Sequence, residues 1–166
     1  MTLPAETLRT GRLVLSPLAV EDADEMIVVL GDESMHEFTG GAPPTLEQLH
    51  DRYRFLAAGR SADGSEQWLN WIVRLDGAAV GTVQATVMAD GAAAEVAWEV
   101  GVPWQGRGIA SEAAAAMVDW LLAHGVWSIA AHVHPQHEAS AAVAARAGLA
   151  ATAEVVDGET VWRRQL

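Results

Sequence analysis

The chain of 166 residues contains no cysteine, which excludes disulfides, thiolate metal ligands and a cysteine nucleophile. Positive charge is scarce as well, because 10 basic residues stand against 22 acidic ones and give a formal net charge of −12. A surface of this sign repels nucleic acids and anionic membranes and favours encounters with cations such as amines. Solubility alone is the other explanation of the acidic surface.

Long apolar runs are also missing, since none reaches the roughly 20 residues that a membrane-spanning helix needs. The N-terminus lacks the pattern of a secretory signal peptide. We therefore expect a cytoplasmic protein without a membrane or nucleic-acid partner. The six histidines show no clustered spacing, so we expect no metal cofactor. The length and a hydrophobic fraction of 51% predict a single domain over residues 1–166.

The most informative stretch is VGVPWQGRGIASEAAAA, residues 100–116. A strand-like run precedes it, a loop with Gly106 and Gly108 follows, and an alanine-rich helix comes next. Glycines let the backbone turn tightly beside a ligand, and the first N–H groups of a helix attract phosphates. Neither the Rossmann nor the P-loop spacing is present, which disfavours a nucleotide-binding α/β domain. A glycine-rich connection without a ligand is the plain alternative.

The rest of the chain predicts an α/β fold with the element order β-α-α-β-β-β-α-β-α-β-β. Residues 1–10 are expected to be a frayed or edge segment, and Thr45 with Gln48 forms a capping-box pattern. The predicted strands are residues 12–18, 68–75, 79–87, 94–102, 127–133, 150–156 and 160–165. The predicted helices are residues 20–30, 45–58, 108–123 and 138–147. An edge strand near the C-terminus offers a surface for a homodimer.

The loop from Gln105 to Ala110 (QGRGIA) resembles the Q/R-x-x-G-x-G/A loop of the GNAT superfamily of N-acetyltransferases, which wraps the pyrophosphate of acetyl-CoA. The element order is also that of GNAT proteins. The opening RLVLSPL and the segment HPQHEASAAVAARAGL, residues 134–149, are most similar to the RimJ/RimL-like branch. His137 stands where this branch usually has asparagine, and Leu149 where it has phenylalanine. The resemblance implies a mixed, mostly antiparallel central sheet with helices on both faces.

The resemblance also implies that acetyl-CoA is the cosubstrate and indicates which residues bind it. The diphosphate is expected at the backbone of Gln105, Gly106, Arg107, Gly108, Ile109, Ala110 and Ser111. The Arg107 side chain either adds charge there or is a solvated surface group. The pantetheine arm is expected along the edge formed by Val100, Gly101 and Val102, with the thioester carbonyl near the Val100 N–H. His137 occupies a cofactor-contacting position of the family.

Acetyl transfer to an amine needs a base, since the amine arrives protonated. The two-residue period of a strand places Glu95 and Glu99 on one face, and Glu99 is favoured because it lies nearer the expected thioester. Either carboxylate could instead bind a substrate cation or be solvated, and a bulge would change the faces. Ser140 is the candidate acid for the thiolate, because Ala144 replaces the tyrosine of many GNAT members. Its alternative role is a backbone hydrogen bond.

Two functions follow from these features. The first is an acetyl-CoA-dependent N-acetyltransferase that acts on a small-molecule amine or a basic protein N-terminus. The second is a non-catalytic CoA or acyl-CoA sensor, or an interaction module, with the same fold. Residues 31–53 are expected to form a lid on the acceptor side. Trp71 and Trp98 either line an acceptor pocket, where aromatic faces attract cations, or pack in the core.

Overall fold

The computed structural model of the protein describes residues 2–38 and 40–165, so that Thr39, within the expected lid, lies outside the described residues. Eight strands form one sheet in the order β1-β2-β3-β4-β5-β6-β8-β7. Their bounds are β1 Leu8–Arg9, β2 Leu13–Pro17, β3 Glu66–Leu75, β4 Ala78–Met88, β5 Ala93–Val100, β6 Ser128–Val133, β7 Ala150–Val156 and β8 Glu159–Gln165. Only β5 and β6 run parallel to each other among these strands, so the described sheet is mixed and mostly antiparallel.

Four α-helices pack on the sheet, namely α1 Ala23–Val29, α2 Leu46–Ala57, α3 Ile109–Ala123 and α4 Glu138–Arg146. Short 3₁₀ turns precede α1 and α3. Thr45 caps α2 as predicted, because its hydroxyl accepts from the Gln48 N–H at 3.2 Å while the Gln48 side chain accepts from the Thr45 N–H at 2.9 Å. No helix of the described residues has both the length and the apolar character to cross a membrane.

The two helix pairs lie on opposite faces of the sheet. The larger core lies between α3 and one face of the sheet and includes Trp71 and Val73. Ile72, which lies between these two residues in β3, packs with α1 and α2 on the other face. Successive strand side chains point to opposite faces, so this alternation places the two cores on the two sides of β3. The predicted α/β class with helices on both faces is therefore confirmed.

The sheet opens between its two parallel strands. β5 and β6 are paired only from Ala93 opposite Ser128 to Glu95 opposite Ala130. Beyond this point the strands diverge, although β5 continues to Val100 and β6 to Val133. The open part of the β5 edge faces a cleft instead of a neighbouring strand.

One strand prediction needs correction. The strand predicted to end at Val102 ends at Val100, and residues 102–104 form a 3₁₀ turn. Pro103 explains the difference, because its ring fixes φ and removes the N–H that a strand would need. The segment predicted as frayed or edge contains β1, which pairs with β2 at the border of the sheet. β7 forms the other border and is largely exposed, and a homodimer through it stays a prediction.

Candidate active site

A cleft of about 640 Å³ occupies the gap between β5 and β6. Its walls are residues 96–100 of β5 and 131–133 of β6, and the glycine loop with the start of α3 closes one end. Residues of α4 cover one side, while Ser34, Met35, Glu37 and Phe38 of the predicted lid reach it from another. A cleft of this size is large enough for an extended ligand.

The glycine loop presents backbone N–H groups to the cleft. Gly106 and Gly108 have φ of 77° and 74°, in the left-handed region that favours glycine. Gly108 accepts the first α3 hydrogen bond, from the Glu112 N–H at 3.0 Å. The N–H groups of Ile109, Ala110 and Ser111 precede that bond and have no acceptor within the helix. These three residues and both glycines line the cleft, so this end is suited to an anion.

At the glycine-loop end of the cleft, Arg146 belongs to the lining and Arg107 does not. The Arg107 side chain is not part of the cleft lining, and the Arg107 carbonyl accepts from Nη2 of Arg12 at 2.6 Å. Arg12 is also paired with Glu112, at 2.8 Å. Arg146 of α4 does line the cleft and donates to the Ser111 hydroxyl at 3.4 Å. Sequence reasoning missed Arg146, because only the packing of α4 beside α3 brings it to this place.

The open edge of β5 is set by the alternation of its backbone groups. The Gly101 N–H donates to the Val80 carbonyl on β4 at 2.8 Å. Backbone groups of successive strand residues point to opposite sides, so the N–H groups of Trp98 and Val100 point into the cleft. The Val100 carbonyl already accepts from the Gln105 side chain at 2.9 Å. Gly101 and Val102, which were expected to belong to this edge, lie outside the lining.

Ser140 lies at the cleft with its hydroxyl held by a tryptophan. The Trp98 indole N–H donates to Ser140 Oγ at 2.9 Å. Because a hydroxyl has one hydrogen of its own, Ser140 keeps that hydrogen available for a further partner. His137 is the N-cap of α4, and its Nδ1 accepts from the Ser140 N–H at 3.3 Å. Both residues line the cleft.

The two candidate bases differ in their surroundings. Pairing of β4 with β5 shows no register shift, so Glu95 and Glu99 share a face as predicted. Glu99 lines the cleft and accepts from the Thr82 hydroxyl at 3.3 Å. Glu95 is outside the lining, and its carboxylate lies 3.0 Å from Nε2 of His132, which does line the cleft. His132 and Glu159, another lining residue, were not among the sequence-based candidates.

Aromatic contacts connect the predicted lid to α4. The Phe38 ring stacks on His137 with centroids 4.5 Å apart, and it lies 5.0 Å from the His134 ring. Burial and then the His134 charge lower the pKa of His137, against an opposing effect of Glu37. A neutral His137 is the form that accepts the Ser140 N–H as a cap.

Trp71, Trp98 and Tyr53 differ in their burial and in their position relative to the cleft. Trp71 is only 1% exposed and belongs to the core, so the alternative that it lines an acceptor pocket is wrong, whereas Trp98 does line the cleft. Tyr53 on α2 is buried, and its hydroxyl has no hydrogen-bond partner among the described residues. Burial raises the pKa of Tyr53, and the Glu99 charge adds to this rise.

The site thus combines a gap between parallel strands, a helix start suited to an anion at one end and a hydroxyl within the gap. Residues 12–150 match the model of the acetyltransferase (GNAT) domain. The chain therefore belongs to the GNAT acetyltransferase family. No curated protein matches the chain.

Solved structures share the fold at low sequence identity. RimL, the ribosomal L7/L12 α-N-protein acetyltransferase in complex with coenzyme A, is 15% identical with a TM-score of 0.82, over 97% of this chain and 98% of that chain. The aminoglycoside acetyltransferase AAC(6')-Ib with coenzyme A is 20% identical with a TM-score of 0.75, covering 92% and 94%. The microcin C7 self-immunity acetyltransferase MccE, bound to acetyl-CoA and AMP, is 14% identical with a TM-score of 0.79, covering 95% and 94%.

Proposed function

We propose that this protein is an acetyl-CoA-dependent N-acetyltransferase that transfers the acetyl group directly to a primary amine. The observation that carries the proposal is the cleft between β5 and β6, because it joins an anion-binding loop to a hydroxyl and a carboxylate. The ligands bound in the similar structures, acetyl-CoA or CoA, support the choice of cosubstrate.

The cofactor is proposed to lie along the cleft. Its diphosphate contacts the N–H groups at the start of α3, and Arg146 supplies a positive charge within the same lining. The pantetheine amides pair with the free edge of β5, as an added strand would. The N–H groups of Trp98 and Val100 are the available donors, and one of them is suited to stabilise the oxyanion that forms at the thioester carbonyl.

Two protons move in the reaction. The amine must lose one before it attacks, and the departing thiolate gains one. The amine attacks the thioester carbon, the C–S bond breaks, and CoA leaves as a thiolate. Ser140 is proposed to give this thiolate a proton, because the Trp98 indole occupies its oxygen and leaves its hydrogen free. Glu99 lines the cleft from the sheet and is proposed to bind the substrate ammonium, one of the two roles that the sequence left open for it. Glu95 is a weaker candidate for direct contact with the substrate, since it lies outside the lining.

The acceptor is proposed to be cationic. Three carboxylates line the cleft, those of Glu37, Glu99 and Glu159, and the formal charge of −12 draws cations toward the surface. A small-molecule amine and a basic protein N-terminus both meet this requirement. The similar structures include an enzyme for each kind, the aminoglycoside acetyltransferase and the ribosomal-protein acetyltransferase RimL.

A non-catalytic CoA or acyl-CoA sensor is the second candidate. It is favoured by Ala144, which is buried where many GNAT members carry an acidic tyrosine, and by His137, whose ring is engaged in capping α4. Binding of acetyl-CoA without release of CoA in the presence of amines would select this candidate.

Cofactor binding is tested by thermal unfolding with acetyl-CoA and CoA in the wild type and in Gly108→Trp. Gly125→Trp is the matched control, because Gly125 also has a positive φ of 93° and has open space for a side chain away from the cleft. A ligand that binds only the folded state raises the midpoint in proportion to its occupancy. We expect this rise in the wild type and in the control, and its loss in Gly108→Trp. A folded wild type that binds neither ligand contradicts the proposal.

Transfer is tested separately by CoA release with a panel of amines, namely spermidine, tyramine, kanamycin and a peptide with a free N-terminus. We expect release with at least one member of the panel. Ser140→Ala is expected to lower the rate while leaving acetyl-CoA binding intact.

A further inference from the structure

We propose that His132, paired with Glu95, is the group that takes up the proton from the attacking amine. This inference rests on the proposed function. The sequence offers Glu95 as a candidate base but does not reveal its pairing with His132, because the two residues lie on strands that meet only in the folded sheet.

The location of His132 supports this role. Glu95 and Ala130 are the last paired residues of β5 and β6, and His132 lies two residues further along β6. Side chains two apart in a strand share a face, so His132 lies on the face of Ala130, immediately beyond the point where the strands separate. It lines the cleft there with 29% of its side chain exposed.

The side chains that surround the cleft at this level lie on both sides of the sheet. Trp98 and Ser140 lie on the α3–α4 side, where Ser140 is placed to meet the CoA sulfur. Glu99 and His132 lie on the other side of the sheet, one on each wall. An amine that reaches the thioester from this second side passes between a carboxylate, which attracts it, and an imidazole, which can accept its proton.

The carboxylate of Glu95 holds the His132 ring in place. Nε2 of His132 lies 3.0 Å from Glu95 Oε1. A carboxylate in this position stabilises the imidazolium that forms, as in other carboxylate–imidazole pairs of enzymes. An imidazole is the side chain that gains and loses protons most readily near neutral pH.

Other charged groups lie on the elements around His132. The groups on neighbouring elements are Glu95 and Glu99 of β5, Arg163 and Glu159 of β8, Glu37 of the predicted lid and His134 beyond the end of β6. Arg163 is bound to Glu154 at 2.7 Å. Carboxylates are the majority of this set, so the surroundings of His132 attract a cationic amine.

The proton balance of the step is simple. The ammonium gives one proton to the imidazole, and the free amine then forms the C–N bond to the thioester carbon. When the C–S bond breaks, Ser140 gives its proton to the thiolate, and the second proton of the nitrogen passes through solvent to restore the Ser140 hydroxyl. The imidazolium beside Glu95 releases its proton to solvent before the next cycle.

The test compares His132→Gln with the matched control His124→Gln, using whichever amine of the panel the wild type acetylates. His124 is also a partly exposed histidine, at 33%, and also lies near a carboxylate, that of Glu6, but outside the cleft. For His132→Gln we expect kcat about 100-fold lower, with acetyl-CoA binding unchanged. We also expect the pH profile of kcat to differ between His132→Gln and the wild type. Glu95→Gln should lower kcat less than His132→Gln does.

Chemical rescue separates a proton acceptor from a structural residue. We expect added imidazole to restore part of the activity of His132→Ala and to leave the control unaffected. Wild-type kcat and pH profile in His132→Gln overturn the inference and leave the proposed function standing. A low kcat with an unchanged pH profile and no rescue also overturns it. A wild type that releases no CoA with any amine overturns the proposed function itself.

Discussion

Gly81 of β4 lies where a side chain would collide with the strand that carries Glu99. A Cβ added there would lie 2.2 Å from the Glu99 carbonyl oxygen and 3.0 Å from the Val100 Cα. Since Cβ contacts below 3.0 Å essentially do not occur, Gly81→Ala must push β4 and β5 apart by about 0.8 Å or distort both. The obstacle is the backbone of β5, which cannot turn aside as a flexible side chain would.

We expect Gly81→Ala to lower the free energy of unfolding by about 3 kcal/mol, at the upper end of the cost of overpacking. For a chain of this size the loss corresponds to a melting temperature lower by roughly 6–12 °C. Circular dichroism during thermal and urea unfolding measures both quantities. Gly11→Ala is the control, because Gly11 has open space around its Cβ position and no positive φ. Equal stability of the two variants would refute the close approach of β4 and β5.

Three further predictions concern single side chains. An N–H donated by Ala79 is the main cause that lowers the pKa of Glu25. The stabilisation of the fold by the Glu25 carboxylate is therefore present above pH about 4.5 and is lost as the pH falls further. Glu25→Gln should flatten acid unfolding curves in this range. Tyr53→Phe removes a buried hydroxyl that has no hydrogen-bond partner in the described part of the chain, and calorimetry should show unchanged stability or a gain of about 1 kcal/mol. Trp98→Phe frees the Ser140 hydroxyl, so kcat should fall several-fold while stability changes by about 1 kcal/mol.

The order of the main elements could be predicted because it depends on local signals. The hydrophobic periods, the cap at Thr45 and the turns at Asp76-Gly77 and Asp157-Gly158 are each contained in a few adjacent residues. The glycine loop belongs to the same kind, since its two left-handed glycines lie within four residues of the start of α3. The strand face shared by Glu95 and Glu99 followed from the period of a strand and the absence of a bulge.

The rest of the site depends on contacts between distant parts of the chain. Arg146 reaches the glycine loop only because α4 packs beside α3, and His132 meets Glu95 only because β6 pairs in parallel with β5. The tie between Trp98 and Ser140 spans 42 residues. None of these pairs has a spacing that a periodic pattern can reveal. Pro103 is visible in the sequence, and it ends β5 two residues before the predicted end of the strand.

The separation of β5 from β6 has a consequence for self-association. Unpaired backbone at the border of a sheet is a template on which other polypeptides can add a strand and aggregate. Here the unpaired backbone of β5 lies in the middle of the sheet, recessed between the β6 wall and α4. A strand that belongs to another folded molecule cannot enter so narrow a space with its own neighbours attached. The position of the gap thus leaves a hydrogen-bonding edge unpaired without placing that edge at the border of the sheet, where copies of the chain could add to it.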